Sequence, residues 1–209
     1  NTLGHHRDEL RELHRVMPMV LVDRKVEQLE SDLVGLDNPA AVEIALAHLQ
    51  ERGYRDVLMV TEPFDGTSSR IERVSSFKAQ IEQRAAMTGA VVETGSELTS
   101  QLKTFLNTAG VGPKALFCAN GIAALATTHA LRELQCNLFE QVGLIALDDL
   151  DWYPLVGSGI TALAQPTAEI GASAFECLLK RLRGDDGPVR TMDFSARLIV
   201  RGSTLGNLR

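Results

Sequence analysis

Three carboxylates and the only tryptophan of the chain stand together in "ALDDLDWYPL": Asp148, Asp149, Asp151 and Trp152, directly after the apolar run 142–147. Carboxylates in such a cluster could ligate a hard cation, shuttle a proton, accept hydrogen bonds from a polar ligand, or make a solvated turn. A metal site would call for a histidine or a further acid at a regular spacing, and none follows. Acid/base chemistry would call for a companion nucleophile, and nothing marks one. Arg70 and Arg73 form the second group. Arg73 lies four residues before Phe77 and eight before Ile81, on the apolar stripe of a helical pattern. A cation at the start of a helix is disfavoured by the helix dipole, so an anionic partner is indicated. The competing reading is a surface salt bridge to Glu72 or Asp65.

Other candidates are weaker. "SSFK" matches S-x-x-K at Ser75 and Lys78 without its supporting motifs. "GVGP" (110–113) is a turn, since Pro113 prevents it from opening a dinucleotide-binding helix. His5-His6 has no second ligand group nearby and reads as a solvated helix start. Cys118, Cys136 and Cys177 are odd in number, widely spaced and without a CxxC pair, as expected for reduced thiols of a cytoplasmic protein.

The elements that must position these residues are β-rich apolar runs alternating with helical patterns. Strands are expected at 19–22, in "DLVGLDN", at 57–60, 90–93, 115–120, 142–147 and 160–165, with one or two more in "TMDFSARLIVRGST". Between them lie helices. "NPAAVEIALAHLQERG" carries Asn38 as N-cap, Pro39 in the first turn and Gly53 as the stop. Pro166 and Thr167 open a helix to about Leu182. The β-α-β-α order predicts an α/β fold with parallel sheets flanked by helices. Ligands of such sheets bind outside the carboxyl ends of the strands. Asp23 and Arg24, then Thr61 to Phe64, then Asn120, then Asp148 and Asp149 follow four of those ends.

The 209 residues are 44% hydrophobic, enough for a sizeable core, and carry a net charge of −6. The chain as it stands is no general nucleic-acid binder, which would need clustered Lys and Arg. No run approaches the roughly 20 apolar residues of a membrane span.

The segment "VGLIALDDLDWYPLVGSGITALAQPTAEIGASAFECLLKRLRGDDGPVRTMDFSARLIVRGST" resembles the C-terminal half of LacI/GalR-family transcription regulators. "PMVLVDR", "VGLDNPAAVEIALAHLQERGYRDVLMVT", "SSRIERVSSFKAQIEQ" and "ALFCANGIAALATTHALRE" match upstream in order, so the resemblance spans essentially the whole chain. Within the family the similarity is to 2-ketogluconate-responsive repressors. It implies a two-lobe, type I periplasmic-binding-protein-like fold joined by three crossing segments. Residues 1–36 and 164–187 would form a partial N-terminal lobe, and 37–163 with 188–209 the C-terminal lobe. The family's helix-turn-helix DNA-binding domain does not precede Asn1 here.

The resemblance further implies a non-enzymatic repressor domain that needs no cofactor and no metal, takes a sugar-acid effector between the lobes, reaches operator DNA through the missing domain and forms a homodimer. A periplasmic sugar-binding receptor shares this architecture and is the alternative. Carried over by position, Arg73 matches the family's ligand clamp and Asp148 its carboxylate counterpart. Asn120 matches a strand-end contact, with Gly121 in place of the acid often found next. Asn1 and Asp23 match contacts from the N-terminal lobe. Arg70 and Phe64 join them as neighbours of the cleft. Trp152 stays open between pocket wall and core anchor, and Ser76 replaces the usual glycine before Phe77. Asp149 is expected to be structural and Asp151 to face water.

Overall fold

The computed structural model describes residues 7–64, 66–136 and 140–205. Asn1, His5, His6 and Asp65, to which roles were assigned above, lie outside them. The elements are α1 (Arg7–Val16), β1 (Val20–Val22), β2 (Asp32–Leu36), α2 (Asn38–Glu51), β3 (Asp56–Thr61), α3 (Ser68–Glu82), β4 (Thr88–Glu93), α4 (Leu98–Asn107), β5 (Lys114–Cys118), α5 (Gly121–Glu133), β6 (Gly143–Leu147), β7 (Thr161–Ala164), α6 (Thr167–Leu182), β8 (Thr191–Phe194) and β9 (Arg197–Ile199).

The larger sheet has the order β4-β3-β5-β6-β7-β9, parallel except for β9, which runs antiparallel to β7. Its inner strands, β3, β5, β6 and β7, are buried along nearly their whole length because both faces are covered, whereas the edge strand β4 is largely exposed. Alternate residues serve the two faces. Val57, Met59, Ala115, Phe117, Ile145 and Leu147 pack with Leu46 and Leu49 of α2 and Val74 and Phe77 of α3. Leu58, Val60, Leu116, Cys118, Leu144 and Ala146 pack with Leu102 of α4 and Leu131 of α5. The turn at "GVGP" is held by Asp56, whose carboxylate accepts from the Val111 and Gly112 N–H groups at 3.2 Å.

The smaller sheet is β1-β2-β8, all parallel, with α6 packed against β1 and β2. Three crossings join the two sheets: β2 to α2, β7 to α6, and β8 to β9. The expected boundary at 187/188 is corrected here. β8 pairs with β2 in register from Leu33↔Thr191 to Leu36↔Phe194, so it belongs to the smaller sheet. The chain crosses only at Ser195-Ala196, and β9 pairs with β7 of the larger sheet.

Two local expectations also change. The N-cap of α2 is Asp37, whose side chain accepts from the Ala40 N–H at 2.9 Å. Asn38 is the first helical residue, which frees its amide to accept from Arg73 Nε at 2.7 Å and to donate to Glu72 Oε2 at 2.9 Å. Ile71 of α3 is exposed rather than part of the core stripe; Arg73, Val74 and Phe77 are the buried ones. Gly53 ends α2 in the left-handed region, at φ 87°.

Candidate functional site

In the larger sheet β3 has β4 on one side and β5 on the other, so the winding direction reverses between β3 and β5. Ligand crevices open at the carboxyl ends of strands flanking such a point. A cleft of about 460 Å³ lies there. Its walls come from both sheets: Asp23 and Arg24 after β1, Glu62 after β3, Asn120 and Gly121 after β5, Asp148 after β6, Gln165 after β7, and Ser69, Arg70 and Arg73 of α3.

Asp23 and Asp148 occupy equivalent places in the two sheets. Each follows the last residue of its strand in left-handed backbone, at φ 62° and 72°. Each N–H bonds back to the neighbouring strand at 3.0 Å, Asp23 to Val34 O and Asp148 to Leu163 O. Aspartate tolerates this region better than most residues, yet four non-glycine residues adopt it among those described, and two of the four line this cleft. Such conformations concentrate at binding sites, where the surrounding structure holds them.

The Asp148 carboxylate accepts from Gln165 Nε2 at 2.5 Å and from the Gly121 N–H at 3.3 Å. A Cβ on residue 121 would approach Leu150 Cδ1 to 2.4 Å, so a side chain there would push the exposed end of Leu150 aside. The Asp23 carboxylate accepts from Ser69 Oγ at 3.3 Å through Oδ2, while its buried Oδ1 has only an ion pair with Arg73 Nη2 at 3.6 Å.

Arg73 connects the sheets. Its residue exposure is 5%. Nε donates to Asn38 Oδ1 at 2.7 Å and Nη1 to Ala119 O at 3.1 Å. Nη2 is left with the long contact to Asp23. Burial pulls the guanidinium below the usual arginine value; attraction to Asp23 and Asp148 opposes this, and repulsion from Arg70 and Arg24 adds to it. Arg73 remains a cation, since its ordinary value is far above neutrality.

Arg70 is tied back by its own sheet. Nη2 donates to Glu62 Oε2 and Nη1 donates to Pro63 O at 2.9 Å. Asn120 caps α5, accepting from the Ala123 N–H at 2.8 Å, and its Nδ2 donates to the same Glu62 Oε2 at 2.7 Å.

Of the residues anticipated from sequence, Arg73, Asp148, Asn120, Asp23, Arg70 and Trp152 all line the cleft. Phe64 does not. It packs on the apolar cluster between the sheet and α2/α3, because the β3–α3 loop places it over that face rather than at the strand mouth. Trp152 lines the cleft and also packs on the other apolar cluster, edge-on to buried Tyr153 at 4.6 Å and 85°. The three opening acids diverge. Asp149 is gripped by Arg201 at 2.7 and 3.2 Å, Asp151 is exposed, and only Asp148 enters the cleft. Glu62 and Arg24, read above only as strand-end positions, and Gln165 and Ser69, which were not anticipated, also line the cleft. Glu62 and Arg24 carried a usable signal, their position at a strand end; the others became visible only with the sheet order.

A model of the periplasmic binding protein-like domain matches residues 46–204. The chain is 64% identical to the HTH-type transcriptional regulator PtxS of Pseudomonas aeruginosa, over 98% of this chain and 60% of that protein. It is 32% identical to the HTH-type transcriptional regulator KdgR of Bacillus subtilis, over 97% and 62%. The chain thus spans about 60% of the length of the curated relatives it matches. Among solved structures, a LacI transcriptional regulator from a Rhodococcus species superposes with a TM-score of 0.82 at 21% identity, over 97% of this chain and 75% of that one. A ribose-bound LacI family regulator from Enterococcus faecium gives 0.77 at 20% identity, over 98% and 76%. No helix among the described residues is long and apolar enough to cross a membrane.

Proposed function

Because this chain belongs to the periplasmic binding protein-like domain family, in the form carried by LacI/GalR regulators as their effector-binding domain, we propose that it is the effector-sensing part of a transcriptional repressor and that its cleft takes a sugar acid. The observation that carries this reading is the state of Arg73: a buried cation with an incompletely used Nη2, set between two strand-end carboxylates from different sheets. A sugar acid offers hydroxyls that donate to Asp23 and Asp148, and a carboxylate for an arginine fork. The cleft volume suits a small polar ligand. Two or three charged hydrogen bonds of about 1.5–3 kcal/mol each, with Trp152 and Leu150 as apolar walls, are enough for micromolar affinity, about −8 kcal/mol.

The choice of 2-ketogluconate as first candidate rests on the resemblance of the whole chain to 2-ketogluconate-responsive repressors. Bound between residues of both sheets, an effector would bias their closure, and through a DNA-binding domain outside this chain the occupancy of an operator, in a homodimer of cytoplasmic location. Relatives named as transcriptional regulators favour this over a periplasmic receptor. An enzyme built on the paired acids loses its pair, since Asp149 is committed to Arg201.

Isothermal titration with 2-ketogluconate, gluconate and neutral hexoses tests the reading. Saturable binding of an acid is expected. No saturable binding of any of them by the intact protein would sink it.

A further inference from the structure

Resting on the sugar-acid reading, the geometry around Glu62 points to a residue that sets how tightly the cleft holds an acid. The walls carry Asp23, Glu62 and Asp148 against Arg24, Arg70 and Arg73, so their formal charges cancel. An anionic ligand entering a balanced site gains little unless one of the internal anions gives way. Asp148 is fixed by Gln165 and Gly121, and Asp23 sits in a left-handed turn anchored on β2. Glu62 differs from both. It is not in left-handed backbone, it hangs from the loop after β3, and it is about one-fifth exposed. A single oxygen, Oε2, takes both of its donors, Arg70 Nη2 and Asn120 Nδ2.

Those two donors are a guanidinium and an amide converging on one carboxylate oxygen at the topological switch point. This is the arrangement that would receive the carboxylate of a bound acid. Arg70 also has a buried Nε without a partner among the described residues, so the guanidinium is only partly satisfied by Glu62 and Pro63 O. We propose that Glu62 is an internal stand-in for the effector carboxylate: in the empty cleft it occupies Arg70 and Asn120, and an acid binds by displacing it. The side chain then swings toward solvent. A neutral sugar brings no carboxylate to take over the two donors, leaves Glu62 in place, and meets a smaller site. Glu62 thereby penalises an acid, which must displace it, more than a neutral sugar, which leaves it in place.

The test is titration of the intact protein and of Glu62→Gln with 2-ketogluconate, gluconate and a neutral hexose, with circular dichroism melts as the folding control. Gln keeps the shape and an acceptor but removes the competing charge. Acids are expected to bind Glu62→Gln about tenfold more tightly, in proportion to a lost charge-assisted contact to be broken, and the acid-to-neutral ratio is expected to rise with it. In an Arg70→Gln background, which retains a polar side chain, the same change at Glu62 is expected to gain nothing, because the donor that Glu62 blocks is gone. If the unaltered protein binds an acid and Glu62→Gln binds it equally or more weakly, the stand-in role is overturned while the sugar-acid reading survives. If only Glu62→Gln binds an acid, Glu62 is the block and the assignment of an acid as natural effector falls. If neither binds, both fall.

Discussion

Two ion-paired clusters sit in this molecule within the same smaller sheet and its surroundings, and they are built to opposite ends. Asp32, at the start of β2, is 2% exposed and entirely provided for. Arg181 of α6 grips it with Nε at 2.7 Å and Nη2 at 2.8 Å, the Arg190 N–H adds 2.8 Å, and Cys177 Sγ lies at 3.1 Å. The rest of Arg181 closes on carbonyls of Asp185, Gly187 and Pro188. At the other end of that sheet, Asp23 faces Arg73 at 3.6 Å with an oxygen unpartnered. A bidentate, saturated pair joins a helix to a sheet. A long, under-used pair beside a cavity holds places open for a ligand. Charge and burial alone would not separate the two; the count of donors still unused does.

Breaking the closed pair should have the largest effect on stability. The Arg181 guanidinium holds the Asp32 carboxyl far below its ordinary value. A carboxyl depressed in the folded state contributes stability above its unfolded value, near 4, and that contribution drains away as pH falls through the folded one. Asp32→Asn is expected to cost about 3 kcal/mol at pH 7 in urea denaturation, the range for a buried pair deprived of one partner. Effector affinity measured below the melting transition is expected to change little. A large affinity loss with intact stability would erase the distinction between the clusters.

Breaking the open pair should act on binding. Arg73→Ala is expected to weaken effector binding by about tenfold, the equivalent of the one charged contact that Nη2 has left to give; because Nε and Nη1 also hold Asn38 and Ala119, affinity is measured below the melting transition of the variant. Unchanged affinity in titration would remove Arg73 from the site. Asp148→Asn sharpens the point, because asparagine also tolerates left-handed backbone and keeps an acceptor for the Gly121 N–H. It is expected to lose about tenfold in affinity, and stability is expected to stay within about 0.5 kcal/mol. Equal losses of both would mark Asp148 as a structural strand terminator.

How far the sequence reached follows the same division. Strands buried on both faces, such as "ALFC" and "GLIAL", announce themselves as unbroken apolar runs, and the polar residue after each is then a candidate by position alone. That logic found Asp148, Asn120 and Asp23. It overreached at Phe64, where a loop residue after a strand end turned to the core. It passed over Gln165, which meets Asp148 only because β7 lies next to β6. It misread Asn38 as a cap, since Asp37 and Asn38 are both good caps and only the backbone decides which stands outside the helix. The fate of "TMDFSARLIV" was the least legible. "TMDF" and "RLI" lie almost back to back, yet two residues between them carry the chain from a parallel partner in one sheet to an antiparallel partner in the other.

The smallest effect concerns a third buried polar group, closed like Asp32 but of a type whose ordinary titration in the unfolded chain falls near neutrality. His48 of α2 is 5% exposed and bonds through Nε2 to Thr204 Oγ1 at 2.8 Å, which meets Thr161 Oγ1 at 2.7 Å. Burial lowers its pKa, repulsion from Arg52 lowers it further, and Glu51 partly offsets both. A histidine depressed in the folded state contributes stability above its unfolded value, about 6.5, and loses it as pH falls from there toward the folded one. The melting temperature should therefore decline between pH 7.5 and pH 5.5 by more than in His48→Gln, where this titration is absent. Because the network touches β7 and the C-terminal turn but not the cleft, the effector affinity of the folded protein should show no matching His48-dependent step. A shared step would mean that this junction, and not only the open cluster around Arg73, takes part in ligand binding.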